Sequence, residues 1–391
     1  VSGGTAGNAG STAGTGPCLP SASVDCCPDD PNKQEPGICG CGIADTDSDN
    51  DTIVDCADAA PYGWLRQLTL DSLQIAGPLT DFPVLVQLTD AALASAAAVS
   101  GSDIYFTTAD QTTLLDFELE SYTPGTGTLV AWVLMPSLSA SSDAVLFLGY
   151  GDGKLDRSDA AGVWSGYHHA WHLAQDPSLG AGAIKDSTQR AHGTAQGSMS
   201  SAALVAGVAG NGLSFDGVDD QVTFTNDITG GGSSTLSGWV KPAADSGDLG
   251  SAMITLGNAN SSQARFLLST DDRGKVKCGF YSNDDLSNTA LPIGTWKHLA
   301  WVWNGSQTRL YVDGALAFGP ANHSSVNTTG ASGRIGAAVF MYDYWLTGQL
   351  DEIRVTTVER SAAWITTEYN NQRPGSTFLK ALGAAQAAPS H

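Results

Sequence analysis

The chain has 391 residues, enough for two or three units that each bury a core, and 40 acidic against 18 basic side chains give a formal net charge of -22. A field of that sign repels phosphate backbones and anionic lipid, so nucleic acid and membrane surface are disfavoured as partners, while divalent cations and neutral ligands such as sugars remain open. No apolar run approaches the roughly 20 residues that span a bilayer, so no membrane span is expected.

Residues 1–17 are Gly, Ser, Thr and Ala without periodicity, which is linker composition. They lack a charged start followed by an apolar core, so a secretion signal is expected to be absent from this sequence or already removed. Residues 18–61 hold six of the seven cysteines, Cys18, Cys26, Cys27, Cys39, Cys41 and Cys56. That clustering reads as a small disulfide-stapled module from an oxidising compartment, secreted or at the cell surface. Zinc is the weaker reading, because Cys39 and Cys41 are one residue apart, no CxxC occurs and the segment has no histidine. Six cysteines allow 15 pairings, and the sequence does not choose among them. With almost no large apolar side chains, the segment needs crosslinks and metal to hold it together.

The run "DTDSDNDTIVDCAD" inside this segment places carboxylates at alternate positions, a phase that turns several oxygens toward one ion. Calcium takes roughly six to eight such hard ligands. An EF-hand is a poor fit, because Asn50 and Cys56 stand at the sixth and twelfth loop positions, where that motif needs Gly and Glu. Together with the preceding "CCPDDPNKQEPGICGCG", the stretch "DTDSDNDTIVDCADAAP" resembles the thrombospondin type 3 calcium repeat in its bacterial surface-protein form. The resemblance implies calcium as the cofactor, with Asp45, Asp47, Asp49, Asp51, Asp55 and Asp58 as its ligands. Ala60 stands where that family usually has a Cys before the final Pro, so the array stops here.

Residues 62–162 change to short period-two runs, "WLRQLTL", "FPVLVQL", "SDIYFTT", "LLDFELESY", "TLVAWVLM" and "AVLFLGYG", at the spacing of an antiparallel sandwich. Leu115, Phe117 and Leu119 alternate with Asp116, Glu118 and Glu120, which predicts one buried and one wet face, with Glu118 and Glu120 solvated and not an acid/base pair. "TDAALASAAAV" reads as a short helix. The region resembles a bacterial domain of unknown function that commonly precedes laminin G-like modules, from which no catalytic residues carry over.

Residues 163–383 continue with strands and tight turns, from "GYHHAWHLA" through "WKHLAWVWNG" to "GQLDEIRVTT", and close on a helix "SAAWITTEYNN" that Ser361 can cap. Cys278 in "GKVKCGFYS" reads as a small core residue. His168 and His172 on one strand would share a face about 13 Å apart, and His169 would point the other way, so core or interface positions are expected in place of a metal site. "GLSFDGVDDQVTF", "LSGWVKP", "WKHLAWVWNGSQTRLYVDG" and "LTGQLDEIRV" resemble a laminin G-like, concanavalin A-like jelly roll. That resemblance nominates Asp216 and Asp351 for a calcium ion; for Asp216, a hairpin turn explains the Asp-Gly pair as well. Most tryptophans sit in strand contexts that core packing explains, which leaves Tyr342, Tyr344 and Trp345 of "FMYDYWLTG" as a candidate ligand platform. Residues 384–391 are expected to be a tail.

The expected fold is all-β, two consecutive β-sandwich or jelly-roll domains behind a small disulfide- and calcium-stabilised module. The expected function is non-catalytic adhesion or recognition of a glycan or surface protein. A second reading is a structural subunit that self-assembles through its terminal segments, the tail adding a strand to an open sheet edge. A glycoside hydrolase would need two carboxylates across the sugar. None is in view here, because the neighbours in "LDEIR" should point to opposite faces, and GxSxG and HExxH motifs are absent.

Overall fold

Alternating sequence becomes strand throughout the computed structural model, which describes residues 63–153, 157–243, 251–258, 264–270, 275–324, 326–338 and 344–388. Cys18, Cys26, Cys27, Cys39, Cys41 and Cys56, the aspartates Asp45, Asp47, Asp49, Asp51, Asp55 and Asp58, and Tyr342 lie outside the described residues. The chain divides into residues 1–61 and 62–391. Among the described residues no helix is long and apolar enough to cross a membrane.

The first sandwich is built from β1 (Trp64–Leu70), β2 (Leu79–Thr89), β3 (Tyr105–Thr108), β4 (Phe117–Thr123), β5 (Thr128–Leu138) and β6 (Ala144–Tyr150). Strands β1, β6 and β3 make one antiparallel sheet and β2, β5 and β4 the other. Phe106 meets Phe117 edge-on at 5.3 Å between them. The short helix α1 (Ala91–Ala96) forms where expected, its first turn capped by the Asp90 carboxylate on the Ala92 N–H.

The jelly roll follows with β7 (His169–Trp171), β8 (Thr194–Gln196), β9 (Leu204–Ala206), β10 (Asn211–Asp216), β11 (Gln221–Thr225), β12 (Ser234–Pro242), β13 (Ser251–Leu256) and β14 (Arg265–Thr270). It is completed by β15 (Lys275–Phe280), β16 (Asn283–Ala290), β17 (Lys297–Trp303), β18 (Gln307–Val312), β19 (Ala315–Asn322), β20 (Ser332–Ile335) and β21 (Thr347–Thr356). One sheet runs β19-β18-β17-β12-β21-β10-β9 with β7 on the far part of β21, and the other runs β16-β15-β14-β13-β20-β11-β8. The row Val355, Leu236, Trp301, Leu310 of the first sheet faces inward, as does the row Val222, Ile335, Ile254, Leu267, Cys278 of the second. Cys278 is thus a core residue, as its strand context implied.

The two sandwiches share a core. Residues on the outer side of the larger sheet, Ala300, Val302 and Tyr311, belong to the same buried cluster as Val130, Trp132 and Val133 of β5. The final helix α3 (Ala362–Gln372) is capped by the Ser361 hydroxyl on the Trp364 N–H and packs in that layer, with Phe82 and Trp364 rings 4.9 Å apart. Its Asn371 side chain accepts the Leu85 N–H at 2.8 Å and donates to the Leu85 carbonyl at 3.2 Å, satisfying the free edge of β2 as a neighbouring strand would.

Two boundaries drawn from sequence move. Residues 384–387 belong to a strand: β22 (Leu379–Ala387) pairs antiparallel with β1, from Trp64↔Ala387 to Leu70↔Leu379. The first sandwich is therefore closed by a strand from the end of the chain, and the boundary at residue 383 falls inside it. At the other junction, α2 (Ala160–Val163) spans residues 162 and 163, and Trp164 packs on Trp132 at 5.5 Å, so the connecting turn belongs with the first sandwich.

Candidate functional site

Glu118 and Glu120 do alternate with buried Phe117 and half-buried Leu119, but the expected wet face is wrong, because it is covered by the jelly roll. Glu118 accepts from the Trp164 indole, the Ser187 hydroxyl at 2.7 Å and His172 Nε2 at 3.0 Å. Glu120 is 2 % exposed, accepts from Trp132 Nε1 at 2.9 Å and lies 3.6 Å from His172 Nδ1. His172 Nδ1 is 2.8 Å from Glu352 Oε1, and the ring stacks on Trp132. Arg354 completes the cluster, donating to Glu352 at 2.7 Å and Glu368 at 3.0 Å beneath the Trp132 and Trp164 rings.

The neighbours Asp351 and Glu352 do not point to opposite sheet faces. Asp351 pairs with Trp239 and Arg354 with Ser237, so residues 352 and 353 bulge opposite Gly238, and Glu352 takes a φ of 54°. Both acids end on the outer side of the sheet. Asp351 Oδ2 accepts the N–H groups of Val208 and Ala209.

Five carboxyls, those of Glu118, Glu120, Asp351, Glu352 and Glu368, thus face two cations, and raised affinity for protons at Glu120 and Asp351 reduces the excess of negative charge. Burial, reinforced by Glu352 and Glu118, pushes Glu120 up to about 8 against the pull of His172. Burial and the charges of Glu352 and Glu120 likewise hold Asp351 well above the carboxylate range. Burial opposes charge on His172, but Glu352, Glu118 and Glu120 raise it well above the usual histidine value. Glu118 goes the other way: His172 and its hydrogen bonds outweigh burial and lower it. None of these five carboxyls lines either of two described cavities of about 210 and 390 Å³, and the cluster joins the two sandwiches.

The histidines part company. His172 lies beyond β7 in the joint, whereas His168 and His169 converge on Asp227. His168, just ahead of the strand, escapes the strict alternation that would have sent the two rings to opposite faces. Asp216 caps its own turn, its Oδ1 accepting from Val218 at 2.8 Å and Asp219 at 3.3 Å, and forms a group with Asp219 and Asp220. Because Asp216 pairs with Thr347, four residues before Asp351, the two nominated aspartates are about 13 Å apart along the strand and are not brought together.

The outer face of the larger sheet is taken up by the first sandwich and α3. The smaller sheet carries outward the register row Thr194, Thr223, Arg334, Thr255, Phe266, Gly279, Asp284. Over its middle, Tyr344 packs with Ala252, Phe266 and Ala338, while Thr255 donates to the Ala337 carbonyl at 3.1 Å. Trp345 bridges Ala337, and both Tyr344 and Trp345 are half-buried. Sequence reasoning found the aromatic pair through its loop-like context but had no signal for the flanking polar row, which depends on strand order.

Residues 216–366 match the concanavalin A-like lectin/glucanases superfamily (Laminin_G_3), and residues 100–170 match a domain of unknown function, DUF2341. The chain thus contains a laminin G-like domain and a DUF2341 domain. No curated protein matches it. Among solved structures it is similar to domain 4 of AbnA, an extracellular arabinanase from Geobacillus stearothermophilus in complex with arabinotriose, at 19 % identity and a TM-score of 0.40, over 51 % of this chain and 97 % of that one. It is also similar to the botulinum neurotoxin serotype D binding domain, at 13 % identity and a TM-score of 0.40, over 53 % of this chain and 51 % of that one. Trypanosoma rangeli sialidase in complex with the inhibitor DANA follows at 13 % and 0.38, over 58 % of this chain and 40 % of that one.

Proposed function

We propose that the chain is a non-catalytic, extracellular or cell-surface recognition protein that binds carbohydrate through its laminin G-like domain. The observation that supports this most is the outer face of the smaller sheet, where Thr194, Thr223 and Arg334 lie in one row beside the Tyr344 and Trp345 segment. Hydroxyls and a guanidinium next to aromatic rings are the donors and apolar surface that a neutral sugar needs. Glu118, Glu120, Asp351, Glu352 and Glu368 are occupied within the joint, which speaks against their use in hydrolysis.

Calcium belongs to the same reading: the aspartates from Asp45 to Asp58 stiffen the leading module, and Asp216 with Asp219 and Asp220 forms a second candidate position. Self-assembly through the terminal segments gains no support, because residues 379–387 already pair within their own chain.

Binding of the full chain to an array of neutral and acidic glycans, with calcium and with chelator, tests the proposal. Retention of a neutral glycan that Arg334→Ala and Tyr344→Ala both weaken at least tenfold is expected. Retention of none, or binding indifferent to both substitutions, sinks it.

A further inference from the structure

We infer that His168, His169 and Asp227 form a binding site for one divalent metal ion of the zinc class. Their ligand atoms lie within 4.8 Å of one another.

The argument starts at Asp186, which is fully buried. Its carboxylate accepts the N–H groups of Ala170 at 3.0 Å, Thr188 at 3.0 Å and Ala191 at 2.9 Å, and the Thr188 hydroxyl at 2.8 Å. An oxygen pair so supplied with donors is ionised, and it sits 2.8 Å from His169 Nδ1. The ring proton is therefore on Nδ1, and Nε2 presents a bare lone pair. A carboxylate fixing the far nitrogen of an imidazole is the usual support of a histidine that binds metal.

His169 Nε2 is buried, has no hydrogen-bond partner, and faces Asp227 Oδ1 at 3.7 Å. Two acceptors thus face each other across a gap that suits a cation. A shared proton would draw such atoms to about 2.7–2.9 Å. Bonds of about 2.0–2.2 Å to one tetrahedral zinc place two ligand atoms roughly 3.3–3.6 Å apart, much nearer the observed gap. His168 Nε2 holds the same Asp227 oxygen at 2.5 Å through a shared proton, and a metal ion that displaces this proton takes His168 as its third ligand.

The frame is rigid on both sides. The His169 ring is stacked on Trp171 at 4.7 Å with Phe224 against its edge. Asp227 follows Asn226, whose side-chain amide donates to the Ile228 and Gly330 carbonyls and accepts the Ile228 N–H. Asp227 itself is 55 % exposed, so a fourth position opens to water or to an incoming ligand. Two imidazoles and one carboxylate suit zinc over calcium, which prefers oxygen alone.

The test uses the full chain, stripped with chelator, reloaded with zinc or cobalt and dialysed. Metal content and the visible cobalt spectrum are compared for the wild type, His168→Gln, Asp227→Asn and the double variant, with circular dichroism confirming the fold. The expected result is one equivalent more metal in the wild type than in the double variant, and tetrahedral cobalt bands without thiolate charge transfer that the double variant lacks. Asp186→Asn, which would not touch the ion, should weaken binding by about 10–100-fold. Equal metal content in wild type and double variant, or no metal retained by the wild type, overturns the inference. Glycan binding is read separately and can succeed or fail without it.

Discussion

Glu118 on β4 and His172 beyond β7 meet at 3.0 Å across the seam between the two sandwiches. His172→Ala leaves Glu118, Glu120 and Glu352 facing one another without the cation that separates them. Removing one partner of a buried ion cluster costs about 3–5 kcal/mol. Urea unfolding followed by tryptophan fluorescence, to which Trp132 and Trp164 beside the ring contribute, should show a loss of that order.

Stability should fall as the medium becomes alkaline. Glu120 titrates near 8 in the folded protein against 4.5 in a free side chain, so the folded state holds the extra proton between those values. Its contribution is fully present below about 4.5 and is lost as pH rises through about 8. Raised His172 and Asp351 act in the same direction. Melting temperatures taken from pH 5 to 9 should decline, and Glu120→Gln, which keeps an acceptor for Trp132, should flatten the slope. An unchanged slope in the variant would show that Glu120 is ionised throughout.

Gly210 tests how tightly the seam closes. It has a φ of 58°, and a Cβ there would stand 2.6 Å from Glu120 Oε1. Gly210→Ala should therefore cost about 1–3 kcal/mol by combining backbone strain with overpacking. Thermal unfolding measures it, and a neutral effect would mean that the 207–210 turn yields readily.

Thiol counting addresses the cysteines. Cys278 is buried, and burial with Asp285 and Asp284 nearby pushes its thiol well above the usual value. In the native protein Cys278 should not react with a thiol reagent. Denatured without reductant it should show one thiol if the other six cysteines are paired, and seven if they are not.

The strands of the first sandwich were plain in the sequence, since a two-residue period defines both strand and face; "WLRQLTL" is β1 to the residue. The cap at Ser361 was equally legible. The joint was not, because alternation shows that one face of β4 is polar without showing that charges from another domain, and not water, lie opposite. The bulge at Glu352 left no mark in "LDEIR", and that bulge alone puts two acids on one side. Strand β22 was missed because "LKALGAAQA" is poor in the β-branched and aromatic residues that signal a strand; pairing with β1 outweighs its composition. Asp227 stands far from the histidines in sequence, and only the turn after β11 brings it to them.

Deleting residues 379–391 should strip the edge of β1. Hydrogen exchange at residues 64–70 should accelerate, and size-exclusion chromatography should show association through the exposed edge. A monomer with protected β1 amides would mean that the pairing contributes little.

That same pairing dictates an order of assembly. During synthesis β1 emerges before its partner β22, with the whole jelly roll translated between them. The domain nearer the amino end therefore cannot finish before the one that follows it, and the usual amino-first sequence of domain maturation is reversed. Until β22 emerges, the β22 side of β1 is an unpaired edge that the growing chain or a chaperone must shield, and any stall within the jelly roll leaves two domains incomplete instead of one.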